Sequence, residues 1–156
     1  MSGTIVTYGI VQAGEETANG VPYIRTGDIV ASEIAARQLR RTAPKIAAQY
    51  ARSRVRTGDI VMSIRATVGT TAVVPPELDG ANLTQGTARI APSERVQGSY
   101  LLNLLRAPEV QHWIQRQVKG ATFREITLAR LRELPVRVPP RRSSRSLPAG
   151  LLKWTR

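Results

Sequence analysis

The chain has 156 residues, 42% of them hydrophobic and only 4% aromatic, enough for one domain with an aliphatic interior. Lys plus Arg number 23 against 11 acids, and this net charge of +12 points to a polyanionic partner: nucleic acid first, an anionic membrane surface second. The absence of cysteine excludes disulfides, zinc–thiolate sites and thiol nucleophiles, and one histidine cannot build a His-rich metal site.

The β-branched run from Ile5 to Val11 predicts a strand, followed by a turn-rich loop over Ala13 to Gly20 and a second short strand over Val21 to Arg25. Arg25-Thr26-Gly27-Asp28-Ile29-Val30 returns 31 residues later as Arg56-Thr57-Gly58-Asp59-Ile60-Val61, and each copy reads as a turn feeding a strand. Between the copies, Ser32 to Tyr50 has partly helical character, with Ser32 as a candidate cap, Glu33 in the first turn and Pro44 as a breaker. Strands are expected over Asp59 to Arg65, Val68 to Val74 and Thr87 to Ala91, with a loop at Pro75 to Gly80 and a small, polar stretch at Ala81 to Gly86. Leu101, Leu102, Leu104, Leu105, Val110, Trp113, Ile114 and Val118 fall at helical spacing, so Ser99 to Val118 is the clearest helix, with Pro108 marking a kink or a junction of two helices and Gly120 a stop. Thr127 offers an N-cap for a short helix through Leu134, and Pro135 to Pro139 is a final short strand. Beyond Pro140 the chain is rich in Arg, Ser and Pro and is expected to be disordered. The order of strands, then helices, then a strand gives an α+β fold rather than alternating βαβ units.

The charge is clustered. Residues 1–36 hold one base and four acids, whereas Arg37 to Arg56 holds seven bases and no acid, and six more bases without an acid follow Val136. Such acid-free runs repel themselves unless an anion lies against them. Of the 23 bases, 20 are Arg, the fork-shaped donor that contacts phosphate and guanine edges in two places. A codon preference accounts equally well for that ratio, but not for the clustering.

An isolated enzymatic activity finds no support. Val74-Pro75-Pro76-Glu77 and Val138-Pro139-Pro140-Arg141 lack the Asn or Asp and the aromatic that flank the paired prolines of a DNA amino-methyltransferase. No glycine-rich loop has cofactor-cradling spacing, and none of the three lysines follows an acid as a metal-dependent nuclease would require. His112 reads as a surface or packing residue, and Asp28 and Asp59 as turn formers. Polar side chains suited to groove edges instead cluster at Arg65-Ala66-Thr67, at Asn82-Leu83-Thr84-Gln85 and at Lys119 to Arg124, although each is equally an ordinary polar loop. Stacking on single strands is disfavoured by the scarcity of aromatics. Membrane-surface binding is disfavoured because the best amphipathic helix lacks a heavily basic face. No apolar run approaches the roughly 20 residues of a membrane span. The first ten residues do not form a signal peptide, so a cytoplasmic location is expected.

From Val21 to Pro140 the chain resembles a target recognition domain of the type I restriction-modification specificity subunit. The resemblance rests on Val21-Pro22-Tyr23-Ile24-Arg25 with Gly27-Asp28-Ile29, on Gly58 to Arg65 with Val68-Gly69, and on Asn82-Leu83-Thr84-Gln85-Gly86 with Ala88-Arg89-Ile90. It continues through Tyr100-Leu101-Leu102, Gly120-Ala121-Thr122, Leu131 to Leu134 and Pro135 to Pro140. The resemblance implies a small, twisted, mostly antiparallel sheet with a helical hairpin packed on it. It also implies a non-catalytic component that reads one half of a split DNA sequence. Its partners would be double-stranded DNA, a DNA methyltransferase subunit and a motor/restriction subunit. S-adenosylmethionine, ATP and Mg are then expected on those subunits and no cofactor or metal on this chain. The chain departs from the family in holding one domain, in its short lead-in, and in Arg141-Arg142-Ser143-Ser144-Arg145-Ser146-Leu147-Pro148, which replaces the start of the usual long spacer helix with a stretch lacking heptads.

The expected organisation is a recognition domain over 1–140 and a disordered basic tail over 141–156. Arg37, Arg40, Arg41, Lys45, Arg52 and Arg54 are the candidates for phosphate contacts, and Arg65, Thr67, Asn82, Gln85, Thr122 and Arg124 those for base edges. Leu101, Leu105 and Trp113 are assigned to the core. The alternatives are a truncated or degenerate fragment that binds DNA without sequence choice and a module that binds only a partner protein, with a divalent-metal nuclease as the third option; a second copy of the chain, forming a homodimer, is among the partners considered.

Overall fold

A computed structural model describes residues 5–6, 9–94, 96–138 and 150–152. In chain order the strands and helices begin with β1 (Ile5–Val6), β2 (Val21–Ile24), β3 (Ile29–Val30), β4 (Glu33–Ile34), β5 (Arg41–Thr42) and α1 (Pro44–Gln49). They continue with β6 (Ile60–Ser63), β7 (Thr71–Val73), β8 (Asn82–Leu83) and β9 (Thr87–Ile90). The last are α2 (Gly98–Arg106), α3 (Pro108–Gln117), α4 (Leu128–Arg132), β10 (Val136–Val138) and β11 (Gly150–Leu152).

The centre is an antiparallel sheet in the order β1-β9-β6-β7, with Ile60 opposite Ile90 and Val61 opposite Ala72. All four residues of β6 are buried, because the sheet is covered on both faces. Side chains alternate between faces along a strand. Ile60, Met62, Ala88 and Ile90 therefore pack with Leu101 and Leu105 of α2, Val110 and Ile114 of α3, and Leu131 of α4. Val61 and Ala72 turn the other way and join Ile24, Ile29, Ile34, Leu39, Val55 and Leu83 in a second core. The result is a helical layer, a sheet and a layer of short strands. This is the α+β arrangement expected, with α2 and α3 as the helical hairpin and Trp113 packed against its core.

The outer layer contains a three-stranded sheet in the order β5-β2-β8, in which β2 is antiparallel to β5 and parallel to β8. The two copies of the repeated hexapeptide form matched turns. The Asp28 carboxylate accepts the backbone N–H of Arg25 at 2.8 Å, and the Asp59 carboxylate accepts that of Arg56 at 2.7 Å. In both, the Asp N–H donates to the Arg carbonyl at 3.0 Å. These bonds launch β3 and β6, as turn-forming aspartates should.

Four local expectations need correction. Ser32 caps no helix: it and Ala31 are the two turn residues of the β3–β4 hairpin, at φ 69° and 48°. Pro44 opens α1 instead of breaking a helix, because the first turn needs no N–H from it. The stretch at Ala81 to Gly86 contains a buried strand, β8. In the tail, residues 150–152 are not disordered but pair antiparallel with β10, Val136 opposite Leu152. The rest of the predicted tail, 141–149 and 153–156, lies outside the described residues. Pro108, by contrast, does separate two helices, and Thr127 does cap α4, its hydroxyl accepting the Arg130 N–H at 3.2 Å.

Candidate nucleic-acid interface

Because β2 and β8 run parallel, their C-terminal ends emerge side by side. Arg25 and Thr26 follow β2, and Thr84 and Gln85 follow β8. Backbone bonds close the group: Thr84 N–H donates to the Ile24 carbonyl (3.1 Å), Gln85 N–H to Ile10 (3.3 Å), and Ile64 N–H to Gly86 (2.9 Å). The last bond brings the end of β6, and so Arg65, to the same place. A Cβ on Gly86 would lie 2.9 Å from the Thr26 methyl, so the close approach of these loops depends on that glycine.

A second loop is fastened to the end of β6. Ala66 N–H donates to the Arg124 carbonyl and Ile126 N–H to the Ile64 carbonyl, each at 3.0 Å. Lys119 and Glu125 exchange backbone bonds of 2.9 and 3.0 Å, closing a hairpin whose tip exposes Ala121, Thr122, Phe123 and Arg124. Gly120 makes the tip possible: its φ is +92°, and a Cβ there would sit 2.2 Å from the Phe123 carbonyl oxygen. Gln115 on α3 steadies the neighbourhood, donating from Nε2 to the Val68 carbonyl (2.9 Å) and accepting Arg124 Nη2 on Oε1 (2.6 Å).

These loops leave two depressions that meet at Arg65. One, of about 340 Å³, is lined by Tyr23, Arg25, Thr26, Arg65, Thr84 and Gln85 together with Ile10 and its neighbours. The other, of about 360 Å³, is lined by Arg65, Ala66, Thr122, Phe123, Arg124 and Glu125. Four of the six predicted base-edge residues, Arg65, Gln85, Thr122 and Arg124, are thus gathered here. Thr67 is exposed beside them, with its hydroxyl 3.3 Å from that of Ser63, but it lines neither depression.

Asn82 does not belong to the set. Its side chain is fully buried at 0% exposure and donates from Nδ2 to the carbonyls of Ala47 (3.3 Å) and Tyr50 (3.0 Å) and to Ser53 Oγ (3.1 Å). It ties β8 to the end of α1 and cannot reach a base. Reasoning from sequence passed over Arg25 and Thr26 as site residues; Thr84 and Phe123 fell inside its polar clusters but not among its base-edge candidates, and Phe123, the chain's single phenylalanine, is 87% exposed. An aromatic so placed is unusual in an aromatic-poor chain, and its position between Thr122 and Arg124 was the available signal.

The cations are held in different ways. Arg25 donates from Nε and Nη2 to both oxygens of the buried Asp28, at 3.0 and 2.8 Å, and these hydrogen bonds raise its pKa. Arg65 makes a single, looser contact of 3.3 Å to Glu125, with both side chains about 40% exposed. Arg37, Arg40, Arg41, Lys45, Arg52 and Arg54 are all exposed, but they line neither depression. They occupy β5, α1 and the turns around it. Arg41 lies opposite Pro22 and Arg54 opposite Asn82, at the starts of β2 and β8. A strand rise of about 3.3 Å per residue puts them on the order of 10 Å from the loop ends. The basic run therefore flanks the cleft instead of forming it.

Polar loops gathered at one end of a sheet, flanked by a basic band, define a recognition module. Among the described residues no group of His, Cys, Asp and Glu could hold a metal ion, and no helix is long and apolar enough to cross a membrane. The chain belongs to the type I restriction modification DNA specificity domain family, which matches residues 7–143. It is 30% identical over 133 residues to the type I restriction enzyme EcoBI specificity subunit of Escherichia coli, covering 85% of this chain and 28% of that protein. Its fold is similar to the HsdS subunit from Thermoanaerobacter tengcongensis, with a TM-score of 0.57 and 18% identity, covering 85% of this chain and 33% of that one. It is also similar to a chain from work on complex assembly and conformational transition of the type I R-M system, with a TM-score of 0.59 and 21% identity, covering 83% and 30%. The chain thus spans about a third or less of these relatives.

Proposed function

We propose that the chain reads a short sequence in double-stranded DNA through the cleft centred on Arg65. In this reading Arg65, Gln85, Thr122 and Arg124 contact base edges, and Arg37, Arg40, Arg41, Lys45, Arg52 and Arg54 hold phosphates beside the cleft. The observation that carries it is the convergence of three loops, distant in sequence, on two depressions that share Arg65. Their side chains offer the guanidinium, carboxamide and hydroxyl groups that groove edges pair with. The reading extends to a complex in which methyltransferase and motor/restriction subunits carry S-adenosylmethionine, ATP and Mg while this chain, over residues 1–140, supplies sequence choice. The test is competition binding on duplex DNA. Arg52→Ala should weaken all duplexes alike and lower the salt slope by about one. Arg65→Ala and Gln85→Ala should alter which duplex is preferred. Equal effects from both kinds of change would overturn the division of roles.

A further inference from the structure

The repeated hexapeptide contains its own comparison. Both copies build the same turn, through the Asp carboxylate accepting the backbone N–H of the Arg three residues before it. In the second copy the arginine side chain takes no part: Asp59 receives Nε of Arg89 across the sheet, and Arg56 is exposed. The turn therefore does not need a guanidinium from its own arginine. In the first copy that guanidinium is nevertheless clamped, by two bonds of 2.8 and 3.0 Å to a carboxylate that is itself buried.

The clamp uses one edge of the guanidinium, Nε and Nη2. The opposite edge, with both Nη1 hydrogens and the second Nη2 hydrogen, remains for a ligand with two acceptors. The side chain keeps 39% of its surface exposed and lines the depression beside Gln85 and Arg65. Two classes of acceptor fit such a fork, a phosphate and the O6/N7 edge of guanine. The Asp28 charge decides between them. It neutralises the pair, so attraction to a phosphate is largely spent, while the geometry of the free donors is fixed. A fixed, neutralised donor pair suits an uncharged base edge.

We propose that Arg25, positioned by Asp28, is a specificity-determining residue that reads one guanine at the cleft. This rests on the DNA-recognition reading above. The experiment is selection from random duplexes with the whole chain, alongside Arg25→Lys, Arg25→Ala, Asp28→Asn and, as the internal comparison, Arg56→Ala. Arg25→Lys keeps the charge but loses the fork, and it should lose preference at one G·C position by about tenfold or more. Asp28→Asn should relax the same position, since the arginine is no longer held. The salt slope should stay nearly constant for Arg25→Lys, and Arg56→Ala should leave every position of the motif intact. A motif unchanged in Arg25→Lys overturns the assignment. So does an Arg25→Ala variant that weakens all duplexes equally and lowers the salt slope by one, which is the behaviour of a phosphate contact. Thermal melting identifies any variant that fails to fold, and the Lys and Asn variants then decide separately. Absence of any motif for the unchanged chain overturns the recognition reading, and this assignment with it.

Discussion

Asn82 and Gln85 sit three residues apart and have similar chemistry, yet the fold gives them different tasks. Gln85 is exposed at the cleft, whereas the Asn82 Nδ2 group is spent on two carbonyls and a hydroxyl. Asn82→Ala should therefore cost about 1–3 kcal/mol of stability in urea unfolding, because it removes a fully buried side chain and its three hydrogen bonds, and should leave the DNA motif unchanged. A shift in base preference without a loss of stability would contradict the structural role. The distinction was not legible in the sequence. The groups that satisfy Asn82 come from some 30 residues upstream, and only the tertiary pairing reveals them. Arg25 escaped notice for a similar reason, since its place at the cleft depends on the parallel pairing of β2 with β8. Asp79 gives a pH-dependent prediction at this scale. The backbone N–H and hydroxyl of Thr57, at 2.8 and 3.1 Å, hold its carboxyl below the ordinary range. A depressed folded pKa means that the contact contributes above the unfolded carboxylate range and is lost as pH falls through the folded value. A carboxyl NMR titration should show the low pKa, and Thr57→Ala should move it towards normal.

At the scale of elements, the interface depends on how loops are tied to strands. The Lys119–Glu125 hairpin is fastened to β6 by backbone bonds and its tip turns at Gly120. Gly120→Ala should force the tip to shift, at a cost of about 1–3 kcal/mol, and should change the base preference attributed to Thr122 and Arg124. If selection returned the same motif from that variant, the loop would not be a reader. The β3–β4 hairpin offers the opposite case. Ala31 and Ser32 both occupy the left-handed region, where Asn and Gly are favoured in two-residue turns. Ala31→Asn with Ser32→Gly should stabilise the chain by about 1 kcal/mol, measured as a raised urea midpoint, without altering DNA binding. Here the sequence misled because neither residue announces a turn, and Ser32 before Glu33 imitates a helix start. Elements with strong periodicity were legible: the apolar spacing of α2 and α3, the junction at Pro108 and the cap at Thr127 are all present.

For the whole molecule, a sheet buried on both faces leaves its loop ends as the surface on which function can vary. The net charge of +12 and the run from Arg37 to Arg56 are the sequence's argument for a polyanionic partner. They did not disclose that the run would lie beside the cleft, at the starts of β2 and β8. That separation is the core of the account: affinity from a basic band, choice from a cleft of fixed polar groups. The measurement that tests it most directly is selection of random duplexes by the unchanged chain at moderate salt, followed by sequencing. Enrichment of a short motif of a few base pairs is the predicted result. Retention of DNA with no enriched motif would leave only the charge at work and would contradict sequence reading by the Arg65 cleft.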